Sequence, residues 1–211
     1  MPSTVVHLAL GGLVASALLT TEFDGRALAA ILVVTAIPDL DTFIGLLVPG
    51  THRAALHTLV VPIGLAGLVF YDTRVREHSR LRRVAADRGV IIAWTAIVAY
   101  VLAGIGPDLF FNGVNLFYPL YDRFYTISGN ILLSNQQGLV QTLWQPAKSV
   151  GGTTANTHYY TGVDTARGAD PKNVERVFPI ARGGLQVLLI LLSVTIITIR
   201  LWRHRRETRK G

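Results

Sequence analysis

Five stretches of the chain are rich in apolar side chains and free of Asp, Glu, Lys and Arg: Met1–Thr21, Ala27–Pro38, Ala54–Tyr71, Gly89–Pro107 and Gly183–Ile199. The second is interrupted at Asp39 and Asp41 and resumes as Thr42–Gly50. A helix needs about 20 mostly apolar residues to cross a bilayer core, so the pattern predicts about five membrane-spanning helices. The first run carries no Lys or Arg in its Met-Pro-Ser-Thr start, which reads as a retained helix and not as a cleaved signal peptide. A further charge-free stretch, Phe124–Ala147, holds Asn130, Asn135, Gln136, Gln137, Gln141 and Gln145 and is too polar for lipid. The expected fold is all-α: a polytopic membrane helix bundle with an irregular extracytoplasmic segment between the fourth and fifth spans. Residues 1–120 form the membrane core, 121–183 the extracytoplasmic segment, and 184–211 the last helix with a basic tail.

Composition supports this reading. Of 211 residues, 50% are hydrophobic and only 16% charged, against roughly 25% charged in soluble domains. A soluble fold of this size lacks the interior to hide so much apolar surface. Cysteine is absent, which removes disulfides, thiolate metal sites and a cysteine nucleophile. The net charge of +7 is unevenly placed. Arg74, Arg76, Arg80, Arg82, Arg83 and Arg88 lie between the third and fourth runs; Arg200, Arg203, Arg205, Arg206, Arg209 and Lys210 follow the fifth. The positive-inside rule puts both segments in the cytoplasm. Two spans separate them, so the rule agrees with itself. Counting back leaves the N-terminus, the Asp39–Arg53 region and the 107–182 segment outside. The basic segments read as topology signals and lipid contacts. No nucleic-acid motif accompanies them, and no nucleic-acid partner is expected.

Ionisable groups at membrane depth are costly and mark candidate sites. Here they are His7, Asp39, Asp41, His52, His57 and Asp108. Taken singly, each has an ordinary reading as a buried histidine, a turn aspartate or a cap. The topology, derived from Arg and Lys alone, nevertheless brings all six to one face of the membrane. Three histidines and three aspartates suit a divalent ion such as Zn²⁺ or Mn²⁺. Five residues apart, His52 and His57 cannot face one ion from a straight helix, so His52 is expected either before the helix start or bound elsewhere. Arg53 and His57, four apart, share a helical face, which suits Arg53 to holding an anionic group beside a metal.

The order His7 with Gly11, Pro38 with Asp39 and Asp41, His52 with Arg53 and His57, then Asp108 with Gly113, Val114 and Pro119 resembles the YdjM-like family. These are membrane-bound proteins of bacteria and archaea described as metal-dependent hydrolases, some linked to LexA regulation. The resemblance covers residues 1 to about 120. It departs from the family pattern at Gly104, where a histidine four residues before the late Asp is expected; His158 is the candidate to take its place in space.

The leading functional expectation is a membrane hydrolase with a metal site at the outer face, acting on a lipid-linked phosphoester. His7, His52, His57, Asp39, Asp41 and Asp108 would be ligands, Asp39 or Asp41 the base, and Arg53 the headgroup-orienting residue. An ion-translocating transporter is the first alternative. The clean fourth and fifth runs offer it no polar path, and no inverted repeat is visible. A non-catalytic envelope protein is the second.

Overall fold

The computed structural model describes residues 2–142, 151–169 and 171–209. The end of the polar stretch at Ala147, part of the turn sequence beginning at Ser149, Asp170 and Lys210 lie outside the described residues. The fold is mostly helical: α1 (Thr4–Leu18), α2 (Gly25–Ala36), α3 (Asp41–Leu47), α4 (Val60–Phe70), α5 (Arg80–Ala99), α6 (Gly106–Phe111) and α7 (Gly184–Glu207). Among the described residues, two helical segments are long and apolar enough to cross a membrane: the α5–α6 segment Arg80–Phe111, and α7. A third qualifies if α2 and the Pro38–Leu47 segment, bent by 42°, count as one span.

Local chemistry explains the helix ends. Ser3 caps α1 by accepting from Val6 N, Asp24 caps α2 by accepting from Ala27 N, and Ser79 caps α5 by accepting from Arg82 N. Pro38 lacks an N–H for the α-helical ladder, so α2 gives way to a 3₁₀ turn, Pro38–Leu40, before α3. Before α6 the helix widens into a π turn, Tyr100–Ile105. At the other end of α5, Ala85 and Ala86 leave helical geometry, so the charged start of the helix is set off from its apolar part.

Helix α1 sits at the centre of the bundle, against α2 and α7. Small residues permit the close approach, as between helices in lipid. A Cβ on Gly11 would collide with Thr35, and one on Gly12 with Ile197; Ser193 Oγ donates to Ala9 O at 2.7 Å. Leu188, Leu191, Leu192 and Val194 of α7 are exposed, as are Ile63, Leu68 and Phe70 of α4. In a membrane protein these are the surfaces that meet lipid.

The two ends of the bundle differ. At one, Arg88 pairs with Glu22 and Asp24, and Arg200 donates to the carbonyls of Leu19 and Thr20, so both basic segments gather at the α1–α2 turn. At the other, residues 112–125 and 151–165 fold over the α3–α4 connection. Leu59 N donates to Leu116 O, Asn115 N to Arg53 O, and Phe124 N to Gly152 O. Gly50 has φ +89°, and a Cβ there would lie 1.9 Å from Thr154 O, so only glycine fits. Asp122 ties the two covering pieces, accepting from Asn115 Nδ2, Thr154 N and Thr154 Oγ1. Burial opposes its charge, but these hydrogen bonds outweigh that and hold its carboxyl below the usual range.

Two expectations need correcting. The third apolar run is not helical from Ala54: residues 51–59 are turns, and α4 starts at Val60. Packing of this stretch against residues 115–118 supplies its backbone with partners outside a helix. The all-α description also misses a small antiparallel hairpin, β1 (Ile131–Ser134) with β2 (Gly138–Gln141). Its turn is made by Ser134 Oγ, which accepts from Gln136 N and Gln137 N, and by Gly138 at φ +69°.

Candidate metal centre

The six residues singled out from the sequence come together at the covered end of the bundle, from three separate pieces of chain. His7 lies in the second turn of α1. Asp39 lies in the 3₁₀ turn, and Asp41 at the start of α3. His52 and His57 lie in the α3–α4 connection, and Asp108 in the first turn of α6.

His7, Asp39 and Asp108 gather closely, with His57 beside the two carboxylates. His7 Nε2 is 3.6 Å from Asp108 Oδ2 and 3.9 Å from Asp39 Oδ1. His57 Nε2 is 3.0 Å and 3.6 Å from the same two oxygens. Ligands about 2.0–2.2 Å from a tetrahedral ion are separated by about 3.3–3.6 Å, and the observed distances straddle that range. The ligand atoms of His7, Asp39 and Asp108 all lie within 4.8 Å of one another, so this group could hold a metal ion.

Both imidazoles are oriented from behind. His7 Nδ1 donates to Ala103 O at 2.6 Å. That carbonyl is open because Pro107, four residues on, has no N–H to give it; the local sequence Gly-Ile-Gly-Pro thereby sets the histidine's tautomer. His57 Nδ1 donates to Asp41 Oδ2 at 2.9 Å. A metal bound between them would take the lone pairs of both Nε2 atoms. A histidine backed by a carboxylate or carbonyl is the usual arrangement at metals.

Asp41 faces the histidines and not the convergence point. Its other oxygen, Oδ1, accepts from His52 Nδ1 at 2.9 Å, and the side chain is wholly enclosed. One aspartate therefore positions two histidines, which the five-residue spacing made impossible on a helix and which the turns of 51–59 allow. The same turns remove the helical face that Arg53 and His57 were expected to share. Arg53 stands at φ +63° with its side chain fully buried. Its Nη2 donates to Asp108 Oδ1 at 2.5 Å, and its guanidinium stacks on Tyr159 at 4.8 Å. Tyr159 was not singled out from the sequence, where nothing distinguishes it from neighbouring tyrosines.

Gly104 backs onto the 3₁₀ turn. A Cβ there would meet Pro38 Cγ at 2.9 Å and Thr35 O at 3.1 Å, so a histidine has no room. His158 does not take its place: its near carboxylate is Asp164, with Nε2 3.5 Å from Oδ1.

A cavity of about 660 Å³ opens from the centre. Asp39, His52 and Asp108 line its polar end; Val5, Leu40, Phe43, Val177, Phe178 and Ile180 line much of the rest. Asp39 is the most accessible of the converging groups, with side-chain exposure of 21% against 1% for His7 and 2% for Asp108. Its Oδ2 has no hydrogen-bond partner.

Fold and site together define a helical protein, with two or three candidate membrane spans, carrying a buried histidine–aspartate group able to hold a metal. Comparison with protein-family models, curated proteins and solved structures finds no match.

Proposed function

We propose that the chain is a five-span membrane protein, N-terminus outside and C-terminus in the cytoplasm. We further propose a YdjM-like, metal-dependent hydrolase site at headgroup depth near its outer face. The observation that carries the enzyme reading is the convergence of two fixed imidazoles and two carboxylates at the mouth of a largely apolar cavity. With the histidines neutral, as metal ligands are, the carboxylates of Asp39, Asp41 and Asp108 against the guanidinium of Arg53 leave the cluster short of positive charge. Burying unbalanced charge is expensive, and a divalent cation corrects the deficit. Zn²⁺ or Mn²⁺ suits this donor set.

His7, His57, Asp39 and Asp108 would hold the ion, which would supply Lewis acidity to a hydrolysis. Asp41 keeps His57 in the right tautomer. Arg53 is a positioning residue that fixes Asp108, since its enclosed guanidinium does not line the cavity. Asp39, the most exposed of the converging groups and part of the cavity lining, is the group able to take a proton from water. The apolar walls favour an amphiphilic substrate with its phosphoester beside Asp39 and its hydrocarbon against Phe43 and Phe178. The test is a panel of phospholipids, polyprenyl phosphates and acyl esters offered to detergent-purified protein with Zn²⁺ or Mn²⁺. Turnover of a phosphoester, lowered at least 100-fold by Asp39→Asn, is expected. No turnover of any member by metal-loaded protein would leave a binding or structural role.

The five-span reading draws on both basic segments sharing one end of the bundle while the histidine–aspartate centre occupies the other. Helices α1 and α4, 15 and 11 residues long, are short for a span. Irregular backbone at membrane depth is tolerated where protein buries it, as residues 51–59 are covered. Because the chain lacks cysteine, single cysteines at Glu77, Gln136 and Thr208 can be probed with an impermeant thiol reagent on intact cells. Only Gln136→Cys should label. Labelling of either of the others overturns the orientation.

A further inference from the structure

The end of the bundle opposite the histidine–aspartate centre carries a second cavity, of about 600 Å³, lined by Phe70, Thr73, Arg74, Arg82, Val90 and Trp94. It lies between the end of α4, which continues as a π turn over Tyr71–Val75, and α5, the start of the candidate span Arg80–Phe111. A volume of this order is usual for a ligand site.

Each wall combines apolar and basic groups. On one side Phe70 is followed one turn later by Arg74. On the other, Val90 and Trp94 are four apart and share a face of α5, while Arg82 lies beyond the break at Ala85 and Ala86. Phe70 is 55% and Trp94 38% exposed, so neither is absorbed by the core. Among the described residues no carboxylate lines the cavity.

The arginines at this end divide by what they hold. Arg88 pairs with Glu22 and Asp24, and Arg200 donates to the carbonyls of Leu19 and Thr20, so these two tie protein to protein. Arg74 does not: among the described residues no carboxylate pairs with it. The acid nearest in the chain, Asp72, accepts from Ser79 Oγ, Arg80 N and Leu81 N and has Arg76 as its ion-pair partner. Arg82 faces Asp87 at 3.2 Å, an exposed contact that water screens. A topology signal requires only that arginines be present at this end. It does not require two of them at a cavity with aromatic walls.

We infer that this cavity binds one anionic phospholipid, its phosphate held by Arg74 and Arg82 and its acyl chains against Phe70, Val90 and Trp94. A helix that crosses a bilayer is surrounded by lipid, so the occupant is always at hand. Guanidinium groups suit phosphate oxygens, and basic pockets between spanning helices take anionic headgroups. This site requires that Arg80–Phe111 lie in a membrane; it requires neither a metal nor an enzyme.

Trp94 reports on the site. In full-length protein carrying Trp144→Phe and Trp202→Phe it is the one tryptophan left, and bromine on an acyl chain quenches a tryptophan that it touches. The protein is reconstituted in phosphatidylcholine vesicles with rising fractions of brominated phosphatidylglycerol or of brominated phosphatidylcholine. The anionic lipid should quench at about fivefold lower fraction, roughly the preference that one guanidinium confers near an anionic lipid. Adding Arg74→Gln and Arg82→Gln together should bring the two curves together. Adding Arg83→Gln and Arg205→Gln instead removes the same charge outside the cavity and should leave them apart. Glycerol phosphate in large excess should not reverse the quenching. Superposed curves with both cavity arginines present overturn the inference, and that outcome needs no arginine variant to fold. A preference that survives loss of Arg74 and Arg82, or that falls equally with Arg83 and Arg205, overturns it in favour of diffuse surface charge. Reversal by glycerol phosphate overturns it in favour of a soluble phosphate. Quenching by neither lipid removes the membrane reading and the site together.

Discussion

Chelation should lower the melting temperature of the detergent-purified wild type by about 10 °C. An ion present at 1,000 times its dissociation constant stabilises the folded state by about 4 kcal/mol, and each kcal/mol is worth about 2–4 °C for a chain of this length. The effect should be much smaller in Asp39→Ala. That substitution removes a converging oxygen, and the residue is only half buried, so the fold loses little else. Thermal melts of both proteins, each with and without chelator, make the comparison. Equal chelator sensitivity in the two, or a wild type indifferent to chelator, counts against the centre at His7, Asp39 and Asp108.

Arg53 should behave in the opposite way. Its guanidinium is enclosed beneath Tyr159 and bonded to Asp108. Removing one partner of a buried pair costs about 3–5 kcal/mol because the other charge is left unpaired. Arg53→Met should therefore lower the melting temperature of metal-free protein by about 10 °C. A bound cation then has more unpaired carboxylate charge to neutralise, so the variant should keep, or exceed, the wild-type response to chelator. Arg53→Lys should recover only part of the loss, since an ammonium cannot both reach Asp108 and stack flat on an aromatic ring. Metal-free melts of wild type, Arg53→Lys and Arg53→Met would show this order. If all three melt together, Arg53 does not position Asp108. If Arg53→Met loses its chelator response, the guanidinium is a necessary part of the metal site and more than a support for it.

The sequence by itself located the two segments long and apolar enough to cross a membrane. Apolar runs such as Gly89–Pro107 and Gly183–Ile199 correspond to segments of the two long apolar helices. Composition and charge placement also separated the two ends of the bundle, because charge cannot sit in lipid and must collect where helices emerge. The candidate residues were legible for the same reason: His7, Asp39, Asp41, His52, His57 and Asp108 stand out only against an apolar background. Local rules reached as far as Pro38 breaking α2.

What each of those residues does was decided by tertiary contacts. Spacing along the chain treats Asp39 and Asp41 alike, yet one opens onto the cavity and the other is closed behind two histidines. Spacing also assumed a helix through 53–57. Contacts from residues 115–118, some sixty positions away, hold that stretch in turns and let both histidines reach one carboxylate. Arg53 reads as a headgroup-orienting residue until Asp108 and Tyr159 enclose it. Asp164 lies in a segment whose composition suggests only turns, and its burial depends on α3 passing close by with a glycine at position 45. Partnering across such distances is a property of packing, and a one-dimensional pattern carries no term for it.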